Sequence, residues 1–142
     1  MINIHYDELK QFIYEVLLKI GVDDFSSRSV SNGLADSSLR GTDSHGVRLF
    51  PHYLDSAING RKNPKPRMSF SNKYPSYYTL DADNGFGHAA GFKAIDKAMS
   101  VAEKYGICAI NVINSSHPGA MASFTIDAAK HGMIGFAYTH AD

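Results

Sequence analysis

The stretch Ile107-Cys108-Ala109-Ile110-Asn111-Val112-Ile113 constrains this chain more than any other. It is nearly continuously apolar and rich in β-branched residues. A strand with one wet face alternates apolar and polar residues, so this run predicts a strand covered on both faces. Such a strand needs helices above and below it, and the flanking sequence supplies them. A helix is expected over 87–105, with Ala90, Ile95, Ala98, Met99 and Ala102 apolar and Gly106 as its stop. Another is expected over 120–130, closed by His131-Gly132. Tyr77-Tyr78-Thr79-Leu80 predicts an earlier strand and residues 133–138 a later one. The order β-α-β-α-β implies a layered α/β sheet with right-handed crossovers.

The N-terminal part reads differently. Leu9, Phe12, Ile13, Val16, Leu17 and Ile20 recur at helical spacing behind the acidic Asp7 and Glu8, and Gly21 ends the run. A second helix is expected over 25–40, with Val30, Leu34 and Leu39 on one face. It is rich in serine and contains Gly33, so it must lean on packing. A third helix runs to Ile58, with Phe50, Tyr53, Leu54, Ala57 and Ile58 as its buried stripe and Pro51 in its first turn. Residues 61–66 are basic and broken by two prolines, which predicts an extended connector whose charges are solvated. The expected organisation is a helical segment and connector over 1–66, then the first part of an α/β nucleotide-binding domain over 67–142.

Composition narrows the function. Fourteen basic and fourteen acidic residues give zero net charge, against a general nucleic-acid or anionic-membrane binder. No apolar run approaches the ~20 residues of a membrane span. The N-terminus lacks a basic region followed by an apolar one, and the expectation is a cytoplasmic protein. Cys108 is the single cysteine and lies in an apolar run, which predicts a buried, inert thiol.

Three motifs carry chemistry. Asp43-Ser44-His45-Gly46-Val47-Arg48 sets an imidazole three residues before a guanidinium. Histidine exchanges protons near neutral pH, and arginine holds a carboxylate with two parallel hydrogen bonds. Together they suit an enzyme acting on a small hydroxy or oxo acid. The alternative is a helix start capped by Ser44, with Arg48 solvated. Gly85-Phe86-Gly87-His88-Ala89-Ala90 fits G-x-G-x-x-[G/A] between a strand and a helix. The acidic residue that would hold a ribose is missing from the end of the next strand, which favours a glycine-rich turn over a Rossmann site. Asn114-Ser115-Ser116-His117-Pro118-Gly119-Ala120 follows the strongest strand and precedes a helix, where open α/β sheets bind ligands. Its alternative is a helix cap by Ser115 or Ser116. A metal at His45, His88, His117 or His140 is disfavoured, because no histidine pair has i, i+4 ligand spacing and no HExxH or CxxC pattern occurs.

Ser44-His45-Gly46-Val47-Arg48, the Asp83-Asn84-Gly85-Phe86-Gly87 turn, the 114–120 motif and Gly132-Met133-Ile134-Gly135 leading to Thr139 occur in this order. In this the chain resembles the type 2 malate/L-lactate dehydrogenase family, which includes ureidoglycolate, sulfolactate and diketogulonate oxidoreductases. The resemblance covers the whole chain and implies a non-Rossmann NAD(P)-binding fold, apparently truncated to its N-terminal part. It implies hydride transfer between NAD or NADP and a small 2-hydroxy/2-oxo acid, in a homodimer. It carries over His117 and His45 as catalytic residues, Arg48 and Ser44 as substrate-binding residues, and Thr139 and His140 as cofactor-proximal. Some members place the arginine where Leu49 stands, and asparagine is common where His140 stands. The other reading of so short a chain is a non-catalytic remnant serving as a dimerisation or binding module.

Overall fold

A computed structural model describes residues 4–140. Its elements run α1 (Tyr6–Lys19), α2 (Asp24–Leu39), two 3₁₀ turns (Asp43–His45 and Val47–Leu49) and α3 (Phe50–Ile58). They continue as β1 (Ser69–Tyr74), β2 (Tyr77–Asp81), α4 (Gly87–Tyr105), β3 (Ala109–Ile113) and α5 (Ala122–Lys130). The sheet has the order β1-β2-β3, with β1 antiparallel and β3 parallel to β2.

The N-terminal helices form where periodicity predicts them. Asp23 caps α2 by accepting the Ser26 N–H at 3.0 Å. The serines of α2 explain how a weak helix former holds. Ser26, Ser27, Ser29, Ser31 and Ser37 are all buried. The hydroxyls of Ser29 and Ser37 donate back to the carbonyls of Phe25 and Gly33, at 2.8 and 2.7 Å. Small side chains, of which Ser29 and Ser37 are satisfied within their own helix, let neighbours approach closely. Ile13, Leu17, Val22, Val30, Leu34, Phe50, Tyr53, Phe86 and Ala89 form one core, joining α1–α3 to the start of α4. Each large aliphatic or aromatic side chain there stabilises the fold by about 1.5–3 kcal/mol. A smaller cluster of Leu80, Ala82, Ala90 and Ala94 seats the sheet on α4.

Several expectations are corrected. Residues 133–138 form no strand: Ile134, Phe136 and Tyr138 stand exposed, and the segment does not join the open edge of β3. β1 was not expected, because Ser69-Phe70-Ser71-Asn72-Lys73-Tyr74 is mostly polar, and its register with β2 makes it a strand. The order is therefore β-β-α-β-α. β3 is an edge strand with one face half-buried and the other open, rather than covered on both sides. Leu39 and Ile58 lie outside the buried faces, each at the last residue of its helix. The connector is pinned rather than free: the Asn63 N–H donates to the Asn84 carbonyl at 2.9 Å, and the Asp23 N–H to the Pro64 carbonyl at 2.8 Å.

Candidate active site

The turn after β3 carries His117 and meets the two 3₁₀ turns and α3. Its ring stacks against that of His45, with centroids 5.5 Å apart and planes at 29°. Sequence reasoning could not place these two motifs side by side, 72 residues apart in the chain. Ser44 Oγ lies 3.0 Å from His45 Nδ1 and fixes the second ring. Packing requires Gly46. A Cβ there would collide with Ser38, whose hydroxyl accepts the Val47 N–H at 2.9 Å. The glycine thus lets the histidine turn lie against α2.

Tyr53 Oη sits 2.9 Å from His117 Nδ1, and the Gly119 N–H points at the same nitrogen at 3.3 Å. Burial holds the Tyr53 phenol protonated, well above its ordinary range. Its hydroxyl can donate to Nδ1. It can also accept from Nδ1–H while its own proton turns to the His117 carbonyl, 3.5 Å away. The first arrangement agrees with the Gly119 N–H, since Nδ1 then accepts from both and Nε2 carries the proton; in the second Nε2 carries a lone pair and the Gly119 contact must open. Partial burial, then the nearby His45 and His52, push the His117 pKa down. The ring is therefore poised towards its neutral form.

Beneath this layer lies His88, fully buried with both ring nitrogens unpartnered among the described residues. Burial first, then His117, depress its pKa to about 3, so it is neutral. Its ring meets Tyr53 edge-on at 5.2 Å and fills the space left by Gly33 and Gly119.

A cleft of about 430 Å³ opens beside His117, lined by His52, Tyr53, Ser56, Arg61, Lys62, Ser116 and His117. Sequence reasoning missed most of these. His52 and Ser56 share a helix face at i, i+4, a signal that was available; Tyr53 reads as core. Arg48 is exposed on its 3₁₀ turn and does not line this cleft. Thr139 and His140 lie exposed at the end of the described chain. The glycines of the 85–90 motif are buried, and a Cβ on Gly87 would strike the Ser116 and His117 backbone. Gly87 seats the histidine turn on α4 and its N–H donates to Ser116 Oγ at 2.9 Å, whereas Gly85 makes room for Pro66 and the Ala82 carbonyl. No three metal-ligating groups cluster among the described residues.

A helical layer on a mixed sheet, with a stacked histidine pair beside an anion-friendly cleft, defines the class. The chain belongs to the malate/L-lactate dehydrogenase family, whose model matches residues 4–142. It is 38% identical over 140 residues to a malate dehydrogenase of Pyrococcus abyssi, covering 99% of this chain and 39% of the relative. It is 30% identical over 133 residues to an L-sulfolactate dehydrogenase of Methanocaldococcus jannaschii, covering 94% of this chain and 39% of that one. The solved malate dehydrogenase of Pyrococcus horikoshii OT3 superposes with a TM-score of 0.89 at 34% identity, over 92% of this chain and 38% of that structure. The chain thus spans about 39% of the length of the curated relatives it matches first.

Proposed function

We propose that this chain carries the proton-transfer part of an oxidoreductase that moves hydride between NAD(P) and the α-carbon of a small 2-hydroxy or 2-oxo acid. The supporting observation is the His117 ring, held through Nδ1 by Tyr53 at the mouth of a cleft sized for a small acid. In oxidation Nε2 takes the hydroxyl proton from the tautomer whose Nδ1–H donates to Tyr53 Oη, a tautomer that requires the Gly119 N–H to turn away from Nδ1. In reduction the imidazolium returns that proton to the carbonyl oxygen. His45 packs on His117 and orients it, with Ser44 behind it. Arg48, exposed outside the cleft and without an ion-pair partner among the described residues, is assigned the substrate's α-carboxylate by the family resemblance and would have to reach it from the cleft's rim.

The nicotinamide supplies or accepts the hydride when bound. The donors present suit such a group: the N–H groups of Ala120, Met121 and Ala122, at the start of α5, have no partner among the described residues. Thr139 and His140 would lie against the cofactor. A cytoplasmic homodimer is part of the same proposal. A second reading, a binding module without turnover, is favoured by the exposed Ile134, Phe136 and Tyr138. NADH oxidation with a panel of 2-oxo acids decides between them. Turnover that falls by ~10²–10⁴ in His117→Ala supports the enzyme, and no turnover with any acid supports the module.

A further inference from the structure

The cleft beside His117 holds two cations that the proton-transfer chemistry does not use. Arg61 and Lys62 both line it, and no carboxylate does. Neither has an acidic partner within ion-pair distance among the described residues. The chain as a whole is neutral, so this excess is local. The backbone beneath them is fixed. The Lys62 N–H donates to the Ser56 carbonyl at 3.0 Å, and Asn84 Nδ2 donates to the Arg61 carbonyl at 3.1 Å. The other titratable groups lining the space are His52, Tyr53 and His117. The Ser56 hydroxyl is already spent on the His52 carbonyl at 2.8 Å. Two unpaired cations on a pinned backbone, in a concave site, concentrate positive potential where an anion can relieve it.

We infer that Arg61 and Lys62 form a second anion subsite in this cleft, which takes a carboxylate or sulfonate at the far end of the substrate and selects dianionic over monoanionic acids. The inference rests on His117 being the group that exchanges a proton at the substrate's α-carbon. Arg61 and Lys62 share the cleft with His117, so an acid whose α-carbon lies at His117 has both cations available to its distal group. Arginine offers a two-pronged contact and lysine a point charge, so a planar carboxylate and a tetrahedral sulfonate are both accommodated.

Calorimetric titration of the full chain with L-malate, L-lactate and NADH tests this. The parent chain is expected to bind malate more tightly than lactate. Arg61→Gln/Lys62→Gln is expected to weaken malate by roughly tenfold or more and leave lactate within about twofold. Lys65→Gln, a neighbouring charge outside the cleft, is expected to change neither. Equal weakening of both acids, or unchanged malate affinity, overturns the subsite and leaves the dehydrogenase reading standing. Loss confined to NADH assigns the cations to the cofactor and also overturns it. A parent chain that binds neither acid refutes the dehydrogenase reading, and the subsite with it. Circular dichroism melts of each variant confirm that the fold is intact.

Discussion

Gly119→Ala tests the packing that places His117. Gly119 has φ +74, in the left-handed region that disfavours a side chain, and its missing Cβ faces the fully buried His88 ring. The backbone cost of alanine there is about 1–2 kcal/mol. Forcing a methyl into a packed interior adds about 1–3 kcal/mol. His88 cannot swing away, because Gly33 flanks its other side and Tyr53 meets its edge. The combined loss of about 2–5 kcal/mol is a large share of the ~5–15 kcal/mol stability of a domain. At about 2.1 cal/mol/K of unfolding entropy per residue, it lowers the Tm by roughly 7–17 °C. Gly21→Ala is the control: its φ is +90, but nothing lies within 4 Å of the added methyl, so only the backbone cost applies. Thermal melts by circular dichroism supply the measurement. His88→Ala combined with Gly119→Ala should shrink the glycine's penalty towards that of the control. A Gly119→Ala melt within about 2 °C of Gly21→Ala would refute the claim that His88 wedges this turn.

Two further outcomes follow from the buried histidines. The His88 pKa falls from 6.5 to about 3 on folding, so the unfolded chain binds the extra proton and stability drops as pH falls from 6.5 towards 3. Between pH 7.5 and pH 5 that loss is about 2 kcal/mol, read from urea midpoints; His88→Leu should flatten the dependence, and equal slopes in both chains would contradict it. His45→Ala removes one of the groups that depress His117, so the His117 titration followed by NMR should move up; an unmoved titration would mean that the stacked ring exerts no charge effect.

The parts of the fold that were legible are those recorded locally. The α1 stripe of Leu9, Ile13, Val16 and Leu17, the acids ahead of it and the stop at Gly106 all follow from neighbours in sequence. β1 left no such record, since only the facing β2 gives its polar residues a ladder to join. Residues 133–138 show the converse: an apolar run predicts a strand, yet a strand needs a ladder, and this segment does not join the open edge of β3. The site divides the same way. His45 and His117 are conspicuous as residue types, whereas Tyr53, which holds Nδ1, looks like one more aromatic on a core stripe.

The glycines mark the limit most sharply. Gly46 and Gly87 sit where Ser38 and the 116–117 backbone press against them, and neither adopts the left-handed conformation that sequence reasoning associates with the residue. Their requirement is space for a partner 8 or about 30 positions away, which neither periodicity nor turn chemistry records. Gly119 combines both demands, a left-handed backbone and contact with His88, while its N–H faces His117 Nδ1. A change there therefore acts on stability and on the imidazole together. A change at Gly21, with the same backbone conformation and open surroundings, acts on stability alone.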